Sequence, residues 1–414
     1  MRLSALHVGL FVCLLVVSMS AAAMEFDTRL KWFSSGASLP SHDLQRQLDG
    51  TPAYDYTGEV RLMTESDAGN LSWIVHGTTT LNGGDSFALP ADPGNQLEQT
   101  PRDDDQRLMD LSWEIEDGSR HRSVARLDRL ALQYQADSWA VTVGREAVSW
   151  GNGLVFQPMD LFNPFAPTTV DRDYKVGDDL ILVDKLFSNG MDAQLLAVGR
   201  RDDEENFTGQ AGSLALRLRG SAGEAGWDVA AGKHYADQVY GLGVRLPVGG
   251  ALVRADLVAT NVRHADWEFS AVINMDYSFT WLQKNVYVFA EYYRNGFGVN
   301  DLPESIVLLP EELLLRLQRG EIFTFQKDYL AVGTTIDWHP LWNQNISLIT
   351  SLNDESSLLQ TQFSYEPGDH SRLELGLVAP LGGRGDEYGG VPVAGDDVTT
   401  GGARQAFIRF VYFL

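Results

Sequence analysis

Beyond its first two dozen residues this 414-residue sequence has no apolar run approaching 18 residues, so no transmembrane helix is expected there. Cysteine is almost absent. The single thiol, Cys13, permits no intramolecular disulfide and no multi-thiolate metal centre. Basic side chains are scarce, 32 against 56 acidic, and a formal charge of −24 repels a phosphate backbone and argues against nonspecific nucleic-acid binding. The Gly-x-Ser-x-Gly elbow, the phosphate loop, the His-Glu-x-x-His helix and the dinucleotide fingerprint are all missing, and no cofactor is implied.

What is present begins with a leader. Arg2 supplies a positive end, Leu10 to Val17 an apolar core and Ala21-Ala22-Ala23 small residues for cleavage, which together predict a signal peptide over 1–23. Its loss takes away Arg2 and Cys13, moves the charge from −24 to −25, and leaves an exported chain without cysteine. Such a chain suits an oxidising compartment. Residues 24–53 follow as an N-terminal segment with room for an extra strand at Phe26 to Phe33, and 54–414 form the main body.

That body alternates with a period of two. From Trp267 to Phe279 every odd position is apolar or aromatic and every even one polar except Val272, a spacing no amphipathic helix has. The pattern recurs in segments of about ten residues, the length a tilted strand needs to cross a bilayer. Turn signals place 18 strands near 54–64, 69–81, 107–116, 121–135, 138–146, 178–187, 190–201, 210–219, 225–234, 238–247, 251–262, 267–279, 284–294, 328–338, 343–352, 357–366, 371–380 and 403–414, with 16 and 20 as alternatives. A soluble sandwich also alternates. Here, however, the polar face carries Arg217, Arg219, Arg254, Asp256, Arg372 and Glu374, and aromatics such as Trp227, Trp267, Phe279 and Trp338 sit near strand ends. An all-β, transmembrane antiparallel barrel with a wet lumen and interfacial aromatics accounts for both. One difficulty remains in the parity of the connections: with this strand set, 82–106 falls on the side of the short turns, where 25 residues are out of place.

The last residues, Ala406 to Leu414, keep one continuous apolar face in steps of two. This end resembles the C-terminal β-signal of Gram-negative outer-membrane proteins, although Leu414 stands where those proteins usually carry Phe. The resemblance implies the barrel assembly machinery as a partner, and outer-membrane lipid as the surroundings. Acidic runs at Asp103-Asp104-Asp105, Asp202-Asp203-Glu204-Glu205, Asp386, Glu387, Asp396 and Asp397 fall in connections, where they hydrate the loops and would meet lipopolysaccharide through bridging cations.

The 147–177 connection differs in kind. It holds Trp150, Phe156, Leu161, Phe162 and Phe165 among Pro158, Pro164 and Pro167, which a solvated loop would not keep exposed. The expectation is that it folds into the lumen, anchored by Trp150, Phe156, Phe162 and Phe165. Around it the stretch Gly144-Arg145, Trp150-Gly151, Pro158-Met159-Asp160 and Asn163-Pro164 is similar to one shared by a group of proteobacterial porin-like outer-membrane proteins. The resemblance covers about 35 residues closely and implies a transport-type barrel. Arg126, Arg145, Asp160, Asp171, Arg172, Lys175, Arg254 and Asp256 are then the candidates to set the potential in the narrowed lumen, or equally to brace the loop by ion pairs. A calcium reading of Asp171, Asp173, Gly177, Asp178 and Asp179 fails on Lys175, which stands where a ligand is needed.

A second long connection, 296–327, reads as helical, with Pro310 in the first turn, Glu311 and Glu312 at the positive end, Leu313, Leu314 and Leu317 in a stripe, and Gly320 as the stop. The functional expectation is a passive porin-like channel for small hydrophilic solutes or ions. The alternatives are a non-conducting barrel serving export, assembly or a surface polymer, and a barrel hydrolase drawing on His76, His121, His234 or His264.

Overall fold

In the computed structural model, residues 24–87, 104–202, 204–393 and 397–414 are described. The expected leader over 1–23, with Cys13, lies outside them, as do Asp103, Asp203 and Asp396. The chain runs β1 (Met24–Ser38), α1 (Leu44–Asp49), β2 (Ala53–Ala68), β3 (Leu71–Gly84), β4 (Ser112–Asp117), β5 (His121–Gln135), β6 (Trp139–Glu146), β7 (Asp178–Leu186) and β8 (Asp192–Val198). It continues with β9 (Ser213–Ala222), β10 (Ala225–His234), β11 (Asp237–Val248), β12 (Ala251–Asn261), β13 (Trp267–Trp281) and β14 (Lys284–Arg294). After α2 (Glu311–Arg319) come β15 (Asp328–His339), β16 (Trp342–Ser351), β17 (Ser357–Gly368), β18 (Ser371–Leu381), the two-residue β19 (Val391–Pro392) and β20 (Thr399–Thr400), and β21 (Arg404–Phe413).

Neighbours pair antiparallel, and β1 closes the circle between β2 and β21, in registers Met24↔Ser66 and Arg29↔Phe413. Closure leaves no unpaired edge in a medium that has no water to satisfy one. The result is an 18-strand barrel, with β4 alongside. The expected count is met, but its membership differs by one strand. Residues 24–38 form a full strand, while the expected strand 107–116 is reduced to β4, which pairs only with the first residues of β5, Arg122 to Arg126. The reason is that the same edge of β5 is taken by β6 from Leu130 onward. Counting β1 also removes the parity difficulty, because 85–120 now falls with the long connections 147–177, 295–327 and 382–403. Both described chain ends lie on the side of the short turns.

The alternation puts side chains where a bilayer demands them. On β13, Ile273 is 51 % exposed and Val272, one residue away, 1 %. Phe269, Met275 and Tyr277 join Ile273 on the outer face, while Ser270 and Asn274 turn inward with Val272. Trp281, Trp338 and Trp342 stand outward beside the short turns, and Tyr54 and Trp267 near the opposite rim. Among those turns, Gly249 and Gly250 both have positive φ, as a two-residue hairpin needs to match the strand twist.

Candidate functional site

Residues 147–177 leave β6 at the rim and cross the lumen before rejoining the wall as β7. Proline at 158, 164 and 167 bars regular structure, so the backbone must find partners on the barrel wall. Asn152 donates its backbone N–H and its Nδ2 to the two oxygens of Asp256 on β12, each at 2.6 Å. The amides of Leu154, Val155 and Phe156 converge on the Glu291 carboxylate of β14 at 2.6, 2.9 and 2.7 Å, and Asn274 of β13 adds its Nδ2 at 3.1 Å. An acidic wall therefore holds the first half of the loop by its backbone donors.

The second half meets a basic wall through its carboxylates. Lys31 of β1 reaches Asp171 at 2.7 Å, and Arg409 of β21 reaches Asp171 at 2.8 Å and Asp173 at 2.6 Å. Arg372 of β18 bonds Asp173 at 3.2 Å. Tyr174 lies under the guanidinium of Arg61, 3.6 Å from its ring centroid, with Arg129 on the same ring at 4.7 Å and His76 on its hydroxyl at 2.9 Å. Burial raises the Asp171 carboxyl, but Lys31 and then Arg409 outweigh it and hold the group well below the usual carboxylate range.

Three of the expected aromatic anchors have defined seats. Phe156 stacks on Tyr293 at 4.5 Å between centroids, Trp150 packs edge-on against Phe162 and donates to Gln194 at 3.1 Å, and Phe162 meets His234 edge-on. Phe165 instead lines a hollow beneath the 295–327 connection.

The eight candidate charges divide by place. Asp160, Asp171, Arg172 and Lys175 lie on the loop and Asp256 is its anchor, while Arg254 pairs along the wall with Asp276 at 2.7 Å. Arg126 bonds Ser112 of β4 at 3.1 Å, away from the loop. Arg145 has no exposure at all: it is locked to Asp179 at 2.8 Å, Asp104 at 2.9 Å and the Met109 carbonyl at 2.6 Å, where it seals the wall behind β4. Lys175 folds back on Asp160 at 2.6 Å and clamps the base of the loop. Arg172 is different again, for it is exposed to the lumen, bonds the carbonyls of Pro167 at 2.9 Å and Thr169 at 3.1 Å, and forms no ion pair among the described residues. The acidic run at 171–179 is shared out among arginines and lysine, with Asp178 on Arg200 at 2.8 Å and Asp179 on Arg145.

The residues missed by the sequence reading are Glu291, Lys31 and Arg409. Each is a charge at an inward position of a strand, a signal that was available only once the strand's facing was fixed.

Of the four candidate histidines, His234 has a serine and an acid beside it. Ser213 Oγ lies 3.0 Å from its Nδ1 and Glu321 Oε1 3.2 Å from its Nε2. Ser213 is buried and its hydroxyl also accepts from Arg200 at 2.8 Å, so the line works as a brace between β9, β10 and the 295–327 connection. His76 bonds Tyr174 and Glu65, His121 bonds Glu116, and His264 accepts from Arg263.

No known sequence family matches the chain, and no curated protein does either. Solved structures do. Acinetobacter baumannii OccAB3 aligns over 94 % of this chain and 99 % of its own at 10 % identity and a TM-score of 0.55. OccAB4 from the same organism aligns over 96 % and 99 % at 10 % identity and 0.53, and the Pseudomonas aeruginosa outer membrane protein opdK over 95 % and 98 % at 10 % identity and 0.53. The likeness is one of fold, that of the outer-membrane porin barrels. With the outward apolar belt described above, that fold makes the protein a barrel of the outer membrane.

Proposed function

We propose that the barrel is a channel for passive diffusion of small hydrophilic solutes or ions, narrowed by the 147–177 loop and driven by the solute gradient. The observation that carries this reading is the tethering of one loop to opposite walls, Asp256 and Glu291 on one side and Lys31 and Arg409 on the other. A loop held so is a fixed obstruction inside the barrel, and the charges it leaves unpaired set the local potential. On the same reading β21 is the element that the barrel assembly machinery recognises, and the acidic outer loops meet lipopolysaccharide through divalent cations.

Single-channel recording of the purified protein in planar bilayers tests the proposal. Deleting 152–172 should raise the conductance of a correctly folded barrel. An unchanged conductance would remove the loop from the role of constriction. A wild-type protein that inserts and passes no ions would favour the second reading, a plugged barrel serving export or a surface polymer, to which the number of loop tethers lends support.

A further inference from the structure

Side chains on the lipid face of the wall have no part in the channel reading, yet at the rim that carries the long connections they form a polar row of a definite kind. Strand register sets Lys233 of β10 opposite Gln238 of β11, Gln238 opposite Asn261 of β12, and Asn261 opposite Trp267 of β13. Directly opposed residues share a face. Trp267 points outward, so the whole row does. Neighbouring strands lie about 4.8 Å apart, which puts the Lys233 and Asn261 backbones about 10 Å from each other.

Toward the short turns the wall is apolar, with Val229, Leu242, Leu257 and Phe269 exposed on the same face. The rings of Tyr240 and Trp267 lie 5.9 Å apart and those of Trp267 and Phe269 stack at 6.4 Å, a ledge of aromatics at the edge of the polar row. Away from the short turns, Arg263 follows Asn261 by two residues and is exposed.

The polar groups of this face are largely unspent. Lys233 donates one ammonium proton to the Gly209 carbonyl and keeps two. Arg263 donates through Nε to His264 at 3.1 Å, and its two terminal nitrogens have no partner among the described residues. Neither cation forms an ion pair among those residues, not even with Asp266 on the connection that holds Arg263. Gln238 accepts from the Tyr240 hydroxyl at 3.4 Å and keeps its Nε2, and the side-chain amide of Asn261 is unengaged among the described residues.

From the middle of the wall to the rim the order is therefore apolar, aromatic, amide and cation. Aromatics mark the headgroup level of a bilayer, and cations without a counter-charge there attract anionic headgroups. A glycerophospholipid would answer the cations but has no ring for the ledge. A phosphorylated sugar with amide-linked acyl chains uses all four levels.

We propose that this face binds the phosphorylated, acylated glucosamine headgroup of lipopolysaccharide, the phosphate on Lys233 and Arg263 and the sugar over Tyr240 and Trp267 beside Gln238 and Asn261. The site is separate from the channel reading, since none of these side chains enters the lumen, and it puts this rim at the outer leaflet. It also differs from bridging through divalent cations, because the contact is direct.

The test uses the full chain purified in detergent, with and without EDTA. Diphosphorylated lipid A, its dephosphorylated form and phosphatidylglycerol are the probes, and bound lipid is counted by native mass spectrometry. Diphosphorylated lipid A should half-saturate the barrel at a concentration roughly tenfold lower than either of the others, in EDTA as well as without it. Lys233→Gln combined with Arg263→Gln should remove that preference while the barrel keeps its heat-dependent gel shift, because both side chains are exposed. Lys284→Gln, beside a short turn on the opposite rim, should leave the preference intact. A preference that survives the double variant would overturn the proposal, as would an equal loss in Lys284→Gln or equal binding of phosphatidylglycerol. Binding that EDTA abolishes would also overturn it, and would assign the contact to divalent cations on acidic side chains such as Asp202 and Glu204 of the neighbouring connection.

Discussion

Asp256 holds Asn152 twice, by the backbone N–H and by Nδ2, each at 2.6 Å, and so fixes where the inward loop first touches the far wall. Glu291 continues the grip two residues later by accepting three consecutive amides. Replacing Glu291 with alanine strands those buried donors, at a cost of about 1–3 kcal/mol for each one left unpaired. The wall strands do not depend on them. Glu291→Ala is therefore expected to leave the barrel's gel shift intact while its single-channel trace acquires rapid flicker and a larger open level. A trace indistinguishable from wild type would show that the loop is held elsewhere.

On the opposite wall Asp171 is shared by Lys31 and Arg409, both almost fully buried. Asp171→Asn leaves Lys31 to Glu59 at 3.6 Å and Arg409 to Glu374 and Asp173. Because these substitutes exist, the loss should fall below the roughly 3–5 kcal/mol typical of a broken buried pair. The folded-state pKa of Asp171 is depressed, so its contribution is present above the unfolded value near ~4 and lost as pH falls from there. Hydrogen exchange across 168–176 should stay slow from pH 7 to about 4 in the wild type. In Asp171→Asn it should be faster throughout, with no acid limb belonging to this group.

Most of the barrel was legible because lipid imposes a period of two that survives in a single sequence. Strand β13 and the 147–177 loop boundaries follow the expectation to the residue or nearly so. Strand β1 was obscured by its place directly after the expected leader and by its inward Asp27, Arg29 and Lys31, which read as a polar linker. The segment 107–116 misled for the converse reason: Met109, Leu111, Trp113 and Ile115 alternate, but alternation specifies a face and says nothing about which edge is free. Partners across the lumen, such as Lys31 with Asp171 140 residues away, depend on closure and have no local signal.

Deletion of 24–38 with residues 1–23 retained tests the corrected strand set. Without β1, both β2 and β21 present an unpaired edge. The expected outcome is a protein that reaches the envelope but shows no heat-dependent gel shift. A normal shift would mean that 17 strands can close and that β1 is dispensable.

Arg172 is the loop cation that forms no ion pair among the described residues, and it is exposed in the lumen. Its charge, partly offset by Glu291 on the wall, acts on passing ions over a distance below the Debye length of about 8 Å at physiological salt. Arg172→Gln keeps a donor for the Pro167 and Thr169 carbonyls and removes the charge. Reversal potentials under a salt gradient should shift toward cation preference, more at low salt than at high. A shift in Arg254→Gln but none in Arg172→Gln would place the selectivity on the wall.

At the rim that carries the long connections Glu387 joins the 382–403 connection to the 295–327 connection by accepting from the amides of Phe325 at 3.0 Å and Gln326 at 3.2 Å, with the Tyr329 hydroxyl on the same carboxyl. Burial pushes its pKa up to about 7, with a further push from Asp354, against the pull of those donors. A carboxyl raised in the folded state binds more protons there than in the unfolded chain between the ordinary value near ~4.3 and about 7. Folding of the two loops is then favoured at the acid end of that window and loses stability as pH rises through it. Exchange of the Phe325 and Gln326 amides, corrected for the intrinsic rate, should be more protected at pH 5.5 than at pH 8. Glu387→Gln keeps an acceptor, cannot ionise, and should flatten the difference; protection that rises with pH in the wild type would instead assign the junction to the ionised carboxylate.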